Sequence, residues 1–339
     1  MPIDRARLAN LPEPAFPHDP GFDRLVTDSV HYLASDAALA SLGHDSYWPK
    51  WHSPWWHMLA LFECGEAQRI PRRAVDAMVA ALAALRLHTF PIHPEDSPEG
   101  TDPHRDSSCH CALGSIVQVL VACGVDVDQA LPWAAPWFIR YQMADGGLTC
   151  DNTAYLVPHE CPSSMVGTIA PFEAMLALPH ATPDRRAFLD RAAAFLVARE
   201  LRLGSSTAHN AEERTAAPTW FAPCFPRFYF YDVVRGLAAL VRYAQLTGTV
   251  LPERAVRPVV DHLVAAFPDG VIRLQRQAFA EKSTMAREDD GTWVRGRPAS
   301  SFPLLAGLSA IGSGSPFVTR QWSRARRGLL ELLDAGKLV

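Results

Sequence analysis

The 339-residue sequence lacks several features that would place it in a common class. It has no apolar run of the roughly 20 residues that span a bilayer, and its start, MPIDRARLANLPEP, lacks the apolar core of a secretory signal. It also has no excess of positive charge, since the formal net charge is -4. Nucleic acid and anionic membranes attract proteins with clustered Lys and Arg. We therefore expect a cytoplasmic protein that has neither of these partners and no membrane span.

Disulfide and nucleotide signatures are missing too. Seven cysteines, an odd number scattered over a large chain, do not resemble a disulfide framework, so we expect reduced thiols that are available to a metal. The sequence contains no Gly-x-Gly-x-x-Gly after a strand, no P-loop, no Gly-x-Ser-x-Gly and no His-Glu-x-x-His. Dinucleotide and nucleoside triphosphate chemistry are therefore unsupported.

Helical periodicity covers most of the chain. Amphipathic segments with Pro at or near the first turn lie near 71–87, 183–201 and 252–267 and predict outer helices. Less charged segments alternate with them and predict inner helices near 54–64, 109–123, 161–177, 228–246 and 301–312. The alternation predicts a single all-α domain over 1–339, an α/α toroid of five to six helical hairpins.

The loops between the predicted helices contain turn signals. Asp-Gly in MADGGLTC, FPDGVIRL and EDDGTWVRG predicts tight turns, each placed between an outer helix and the next inner helix. Two longer loops, Phe90 to Pro103 and Gly204 to Pro223, are either lids over a cavity or surface excursions without function.

Soft metal ligands cluster between positions 109 and 161. Cys111, Cys150, His159 and Cys161 are residue types that hold Zn²⁺, and each lies where a loop meets a predicted helix. Four such ligands would make a closed structural site, whereas three would leave a position for substrate. Cys109 and His110 compete with Cys111 and His159 for membership of this set.

Four segments carry a family resemblance over roughly residues 50–312: YQMADGGLTCD, HECPSSMVGTIAPFEAML, FPRFYFYDVVRGLAAL and GTWVRGRPASSFPLL. They are similar to repeats of the prenyltransferase and squalene-cyclase-like α/α toroids, in particular the poorly characterised bacterial members. In protein prenyltransferases an Asp-x-Cys pair helps to hold zinc, and His159-Glu160-Cys161 occupies a similar place here. The Cys109-His110 pair also resembles a zinc element of the lanthionine-cyclase toroids. The cyclase motif Asp-x-Asp-Asp is absent, which speaks against proton-initiated triterpene cyclisation.

Aromatic residues form a second group near the predicted inner helices. Such rings bind apolar substrates and stabilise carbocations. The candidate substrate-binding residues are Trp55, Trp56, Trp220, Arg227, Tyr229 and Tyr231. His57 and Asp232 lie among them and are the acid/base candidates, because an imidazole titrates near neutrality and a cavity carboxylate can be shifted toward it. The alternative for each is a structural hydrogen bond.

Three functions remain open at this point. The first is a zinc-dependent transferase or cyclase acting on a hydrophobic, isoprenoid-like substrate. The second is a carbohydrate-active α/α-barrel hydrolase or lyase, which needs paired carboxylates, whereas the inner segments supply only Glu63, Glu173 and Asp232. The third is a non-catalytic binding protein with a structural zinc.

Overall fold

The computed structural model describes residues 2–279 and 282–339, and fifteen α-helices dominate these ranges. In chain order they are α1 (Arg5–Ala9), α2 (Pro20–Ala34), α3 (Asp36–His44), α4 (Pro54–Glu63), α5 (Arg72–Ala83), α6 (His110–Ala122), α7 (Val127–Ala130), α8 (Ala134–Arg140), α9 (Met165–Ala177), α10 (Pro183–Ala198), α11 (Ala211–Ala216), α12 (Val233–Thr247), α13 (Glu253–Ala266), α14 (Pro303–Leu308) and α15 (Pro316–Asp334). The predicted helical class is confirmed.

Two kinds of helix differ in composition and burial. Every residue of α6 from His110 to Leu120 is buried, and α4 is buried from Pro54 to Leu61. By contrast, α13 and α15 bury one face and expose charges on the other. A helix that is apolar on most faces is stable only when other helices surround it. This contrast is the one that the sequence predicted for inner and outer helices.

The buried helices contact one another in chain order: α4 packs on α6, α6 on α9, and α9 on α12. Helix α12 then packs on α15, while α14 contacts both α2 and α4. The outer helix α10 packs against α9 and α12.

The closest of these contacts joins α6 and α9 at Gly114. A methyl group at this position would lie 2.4 Å from the backbone nitrogen of Pro171 and 2.5 Å from the carbonyl carbon of Ala170. Only glycine fits, because atoms cannot approach so closely without a shift of one helix. Gln118 reinforces the contact, donating its Nε2–H to the carbonyls of Gly114 at 3.1 Å and Ala170 at 3.3 Å.

Three predicted inner helices have different bounds from those expected. Helix α9 begins at Met165 rather than 161, because Ser164 accepts the Gly167 N–H at its start. Helix α12 begins at Val233 rather than 228, because Asp232 caps it by accepting the Arg235 N–H at 2.8 Å. The last inner segment shortens to Pro303–Leu308. The preceding residues are extended or irregular instead.

A two-stranded antiparallel sheet, β1 (Ser283–Arg287) with β2 (Trp293–Pro298), was not predicted. The Asp-Gly turn in EDDGTWVRG connects these strands, so its placement between two helices was wrong. The turn itself forms as expected, because Gly291 has φ +88°, a value that suits glycine. Gly146 and Gly270, in the other two Asp-Gly segments, also have positive φ.

The two long loops pack on the helical core. Phe90 at the start of the first loop is buried, and the second loop contains α11. Its Glu213 accepts N–H groups from Met165 at 2.6 Å and Ser205 at 2.9 Å, which ties the loop to the start of α9. Within the described ranges, no helix is both long and apolar enough to cross a bilayer.

Candidate metal centre

Three cysteines converge where α6 begins. Cys109 is the residue before the first turn of α6, Cys111 lies in that turn, and Cys150 follows a short bridge between Leu148 and Ser164. The three sulfur atoms lie within 4.8 Å of one another. The Sγ atoms of Cys109 and Cys111 are 3.3 Å apart, and the Cys111 N–H lies 3.4 Å from the Cys150 Sγ.

These separations fit a tetrahedral zinc site. Zn–S bonds of about 2.3 Å at tetrahedral angles place sulfur atoms about 3.8 Å apart. The observed separations, from 3.3 Å to at most 4.8 Å, bracket that value. Three thiolates are soft ligands of the kind that select Zn²⁺ over hard cations. The cluster can therefore hold a metal ion.

Electrostatics at the start of α6 prepare the cluster for a cation. Hydrogen bonds from Cys111 and Cys150 hold the pKa of the Cys109 thiol well below its ordinary value, and the Ala112 N–H lowers it further. Their hydrogen bonds with Cys109 raise the pKa values of Cys111 and Cys150 well above the ordinary value, as do burial and a neighbouring thiolate. Cys109 is therefore the most acidic of the three thiols.

A cavity of about 360 Å³ opens beside the cysteines. Cys109 and Cys150 form part of its wall, together with Tyr47, Trp48, Lys50, Trp55, Phe90, Pro91, Pro103 and Arg105. The Phe90 to Pro103 loop therefore supplies wall residues at both of its ends. Its wall combines aromatic rings with polar and charged side chains, and its size is typical of small-molecule sites.

Lys50 places a positive charge beside the site. Its Nζ lies 3.4 Å from the Tyr229 hydroxyl and between 5.2 and 5.5 Å from the ring centroids of Tyr47, Trp48 and Tyr229. Desolvation lowers the pKa of Lys50, while the charges of the three cysteines raise it. Three thiolates and a bound divalent ion would have a net charge of minus one, which the protonated Lys50 side chain would balance. Sequence reasoning missed Lys50, although it lies inside the tryptophan-rich segment YWPKWHSPWW.

Of the competing pair, Cys109 joins the site and His110 does not. Both ring nitrogens of His110 already have partners: Trp137 Nε1 donates to Nδ1 at 2.8 Å, and Nε2 lies 2.9 Å from the Tyr155 hydroxyl. Burial lowers the pKa of His110 to about 3, so the ring is neutral. His110 orients the start of α6 from behind and has no free ring nitrogen for a metal.

The structure does not bring His159 or Cys161 into the cysteine group. A 3₁₀ turn at Thr153–Leu156 leads the chain away after Cys150, and His159 is exposed. The Cys161 Sγ lies 3.9 Å from the Ser163 hydroxyl, which donates to Asp145 Oδ1 at 2.6 Å. Two of the four predicted ligands, Cys111 and Cys150, are therefore together with Cys109, and the other two lie outside.

The candidate acid/base residues lie in packed surroundings. His57 is buried, stacks on Phe302 with ring centroids 3.6 Å apart, and places Nδ1 3.2 Å from the Ser29 hydroxyl. Burial lowers its pKa to about 3, which makes it a weak base at neutral pH. Asp232 is fully buried and acts as the cap of α12. Neither side chain lines the cavity beside the cysteines.

The six predicted substrate-binding residues divide into three groups. Trp55 lines the cavity, and the Tyr229 hydroxyl lies 3.4 Å from Nζ of Lys50, which also lines the cavity. Trp56, Trp220 and Tyr231 are buried in the core, where the Tyr231 hydroxyl donates to the Leu201 carbonyl at 2.7 Å. Arg227 lines a different cavity.

Comparison with known proteins adds no identification. No protein-family model matches the sequence, and no curated protein matches it significantly.

Proposed function

We propose that this protein is a zinc-dependent enzyme that acts on a hydrophobic, isoprenoid-like substrate, as a transferase or cyclase. One observation carries the proposal: three cysteine sulfurs converge within 4.8 Å, and two of these residues, Cys109 and Cys150, line a cavity that also contains Tyr47, Trp48, Trp55 and Phe90. Three protein ligands are the number found in catalytic zinc sites, which keep a position for substrate.

The donor set suggests which chemistry the ion supplies. A zinc ion held by three thiolates is electron-rich, so it favours binding and activating a soft group such as a substrate thiol over acidifying water. Cys109, Cys111 and Cys150 would hold the ion. Protonated Lys50 would balance the net negative charge of the ion and its three thiolates, and its Nζ lies 5.2 Å from the Trp48 ring centroid.

The cavity walls favour an apolar substrate. Tyr47, Trp48, Trp55 and Phe90 present ring surface, and burial of apolar area contributes roughly 25 cal/mol per Å². The hydrolase alternative needs two carboxylates across the cavity. The one carboxylate in this wall belongs to Asp45, which accepts the Tyr47 and Trp48 N–H groups and pairs with Arg105 at 3.1 Å.

The α/α toroid forms part of the same proposal. The chain-order contacts of α4, α6, α9 and α12, together with α14 against α4, support a ring of inner helices. In such a ring the starts of successive inner helices share one rim, which is consistent with cysteines at the start of α6 and just before α9.

Metal analysis is the first test. Protein purified without chelator should contain about one equivalent of zinc, and Cys109→Ser, Cys111→Ser and Cys150→Ser should each reduce it strongly. Cys161→Ser and Cys64→Ser are the matched controls and should retain it. Metal-free wild type that does not bind added zinc would refute the site.

Ligand binding is the second test. Farnesol should raise the melting temperature of the zinc-loaded protein by mass action, whereas maltotetraose should not. Trp48→Ala, in the cavity wall, should weaken the farnesol effect, and Trp133→Ala, a half-buried tryptophan outside that wall, should not. Stabilisation by the sugar alone would favour the hydrolase, and zinc without any ligand effect would favour a structural metal.

A further inference from the structure

A second and larger cavity, of about 500 Å³, lies among five helices. Its wall contains side chains from α4, α6, α9, α12 and α15, and Phe228 from the segment before α12. Tyr229, the next residue, contacts Lys50 beside the cysteines, so this segment lies between the two cavities. The proposed metal site does not use the second cavity.

Both carboxylates in the wall of this cavity are already engaged. Glu63 accepts the backbone N–H groups of Arg227 at 2.9 Å and Phe228 at 2.5 Å, and lies 3.6 Å from the Arg227 guanidinium. Glu173 accepts from Arg235 Nε at 2.9 Å and Nη2 at 2.6 Å. Two buried arginines therefore balance the two glutamates.

Three more arginines line the cavity without a balancing charge. In the described part of the chain, Arg242, Arg320 and Arg324 form no ion pair with a carboxylate. Arg320 lies over the Phe317 ring at 4.9 Å, which directs it to the same wall. Five guanidinium groups thus face Glu63 and Glu173 in the wall, and the Asp232 carboxylate lies behind it, 3.7 Å from Arg227 Nη1, so the cavity still carries an excess of positive charge.

Arg227 lines the same cavity but is already balanced. Its side chain is only 9% exposed, and its Nη1 donates to Gln321 at 2.6 Å. Its Nε lies 3.6 Å from the Glu63 carboxylate, and its Nη1 lies 3.7 Å from that of Asp232. The unbalanced positive charge of the cavity therefore belongs to Arg242, Arg320 and Arg324.

We propose that this cavity binds a small organic dianion, a phosphate monoester or a dicarboxylate. Planar guanidinium groups bind phosphate and carboxylate through paired hydrogen bonds. Phe62, Phe225 and Phe317 supply an apolar wall for the body of the ligand. The three unbalanced arginines, which are exposed to solvent, favour a dianion over a monoanion, because each further negative charge adds Coulombic attraction.

Calorimetric titration with phenyl phosphate, phthalate and benzoate tests the proposal, at about pH 7.5 where the phosphate is a dianion. At least one dianion should bind saturably and at least tenfold more tightly than benzoate. The double variant Arg320→Gln/Arg324→Gln should weaken that binding at least tenfold. Arg327→Gln, an exposed arginine on the same helix that does not line the cavity, is the control and should bind as wild type does.

Binding by phenyl phosphate alone assigns a phosphate ester, and binding by phthalate alone assigns a dicarboxylate. The proposal is overturned if neither dianion saturates, if benzoate binds as tightly, or if Arg327→Gln weakens binding as much as the double variant does. Zinc content should be unchanged in the double variant, since its arginines lie on α15. If no dianion binds, the proposed metal site is therefore unaffected. If the protein binds no zinc, the proposal of an anion-binding cavity is likewise unaffected.

Discussion

Gly114→Ala should destabilise the protein because it forces apart the helices that carry the metal site. The new methyl group would lie 2.4 Å from Pro171 N and 2.8 Å from the Ala170 carbonyl oxygen. Ordinary contacts of such atoms begin near 3.4 Å, so one helix must move by about 1 Å. Helix α6 carries Cys109 and Cys111, whereas the bridge to Ser164, just before α9, positions Cys150.

The magnitude follows from two opposed effects. Overpacking of a close contact costs about 1–3 kcal/mol, while replacing glycine by alanine inside a helix gains about 1 kcal/mol. We expect a net loss of up to about 2 kcal/mol, together with weaker zinc binding. Gly43→Ala in α3 is the matched control, since a methyl group there meets no atom within 4 Å and only the helical gain remains.

Urea denaturation of the two variants and wild type measures this difference, and zinc titration measures the effect on the cluster. The midpoint should fall for Gly114→Ala and stay equal or rise for Gly43→Ala. Equal midpoints in the two variants would refute the reasoning, because they would show that α6 and α9 do not touch at Gly114.

Three further outcomes are expected. A chelator should lower the melting temperature of wild type and leave that of Cys150→Ser nearly unchanged, because only the former has metal-binding free energy to lose; equal loss in both would exclude the cluster as the site. Burial raises the pKa of Glu213 from 4.5 to about 7, so the folded state holds a proton that the unfolded state releases. Its contribution, about 3 kcal/mol at most, is present below pH 4.5 and lost as pH rises to about 7. The stability of wild type relative to Glu213→Gln should fall over this range in urea titrations, and a flat difference would contradict the shift. Asp232→Ala should cost about 1–2 kcal/mol through loss of the α12 cap, whereas Asp232→Asn should retain most of it in the same assay; equal losses would argue against a capping role.

Helices were predictable because their signal is local. Long apolar or amphipathic runs such as 109–123 specify a helix whatever lies next to them. Their starts were less predictable, since capping by Ser164 and Asp232 depends on single side chains. The β1–β2 hairpin was not predicted, because an Asp-Gly pair alone does not distinguish a hairpin turn from a connection between helices.

The candidate site was predictable only in part. Cys111 and Cys150 were chosen by residue type, but 39 positions separate them, and their meeting depends on how α6 packs against α9. His110 and Cys109 are adjacent in sequence, yet Trp137 and Tyr155 take up both nitrogens of His110. The sequence contains no local sign of those two long-range hydrogen bonds.

The hairpin has a consequence for which length changes the chain can tolerate. Thr284 in β1 accepts the Lys50 N–H at 2.7 Å, and Trp293 in β2 lies under the Arg105 guanidinium at 4.3 Å. Both partners line the cavity beside the cysteines. Residues added at the exposed tip near Gly291 would leave these pairings in place. A single residue inserted in β1 would instead shift the pairing of Thr284 with β2 and move Thr284 away from Lys50. The register of this hairpin is therefore tied to the wall of the cavity beside the cysteines.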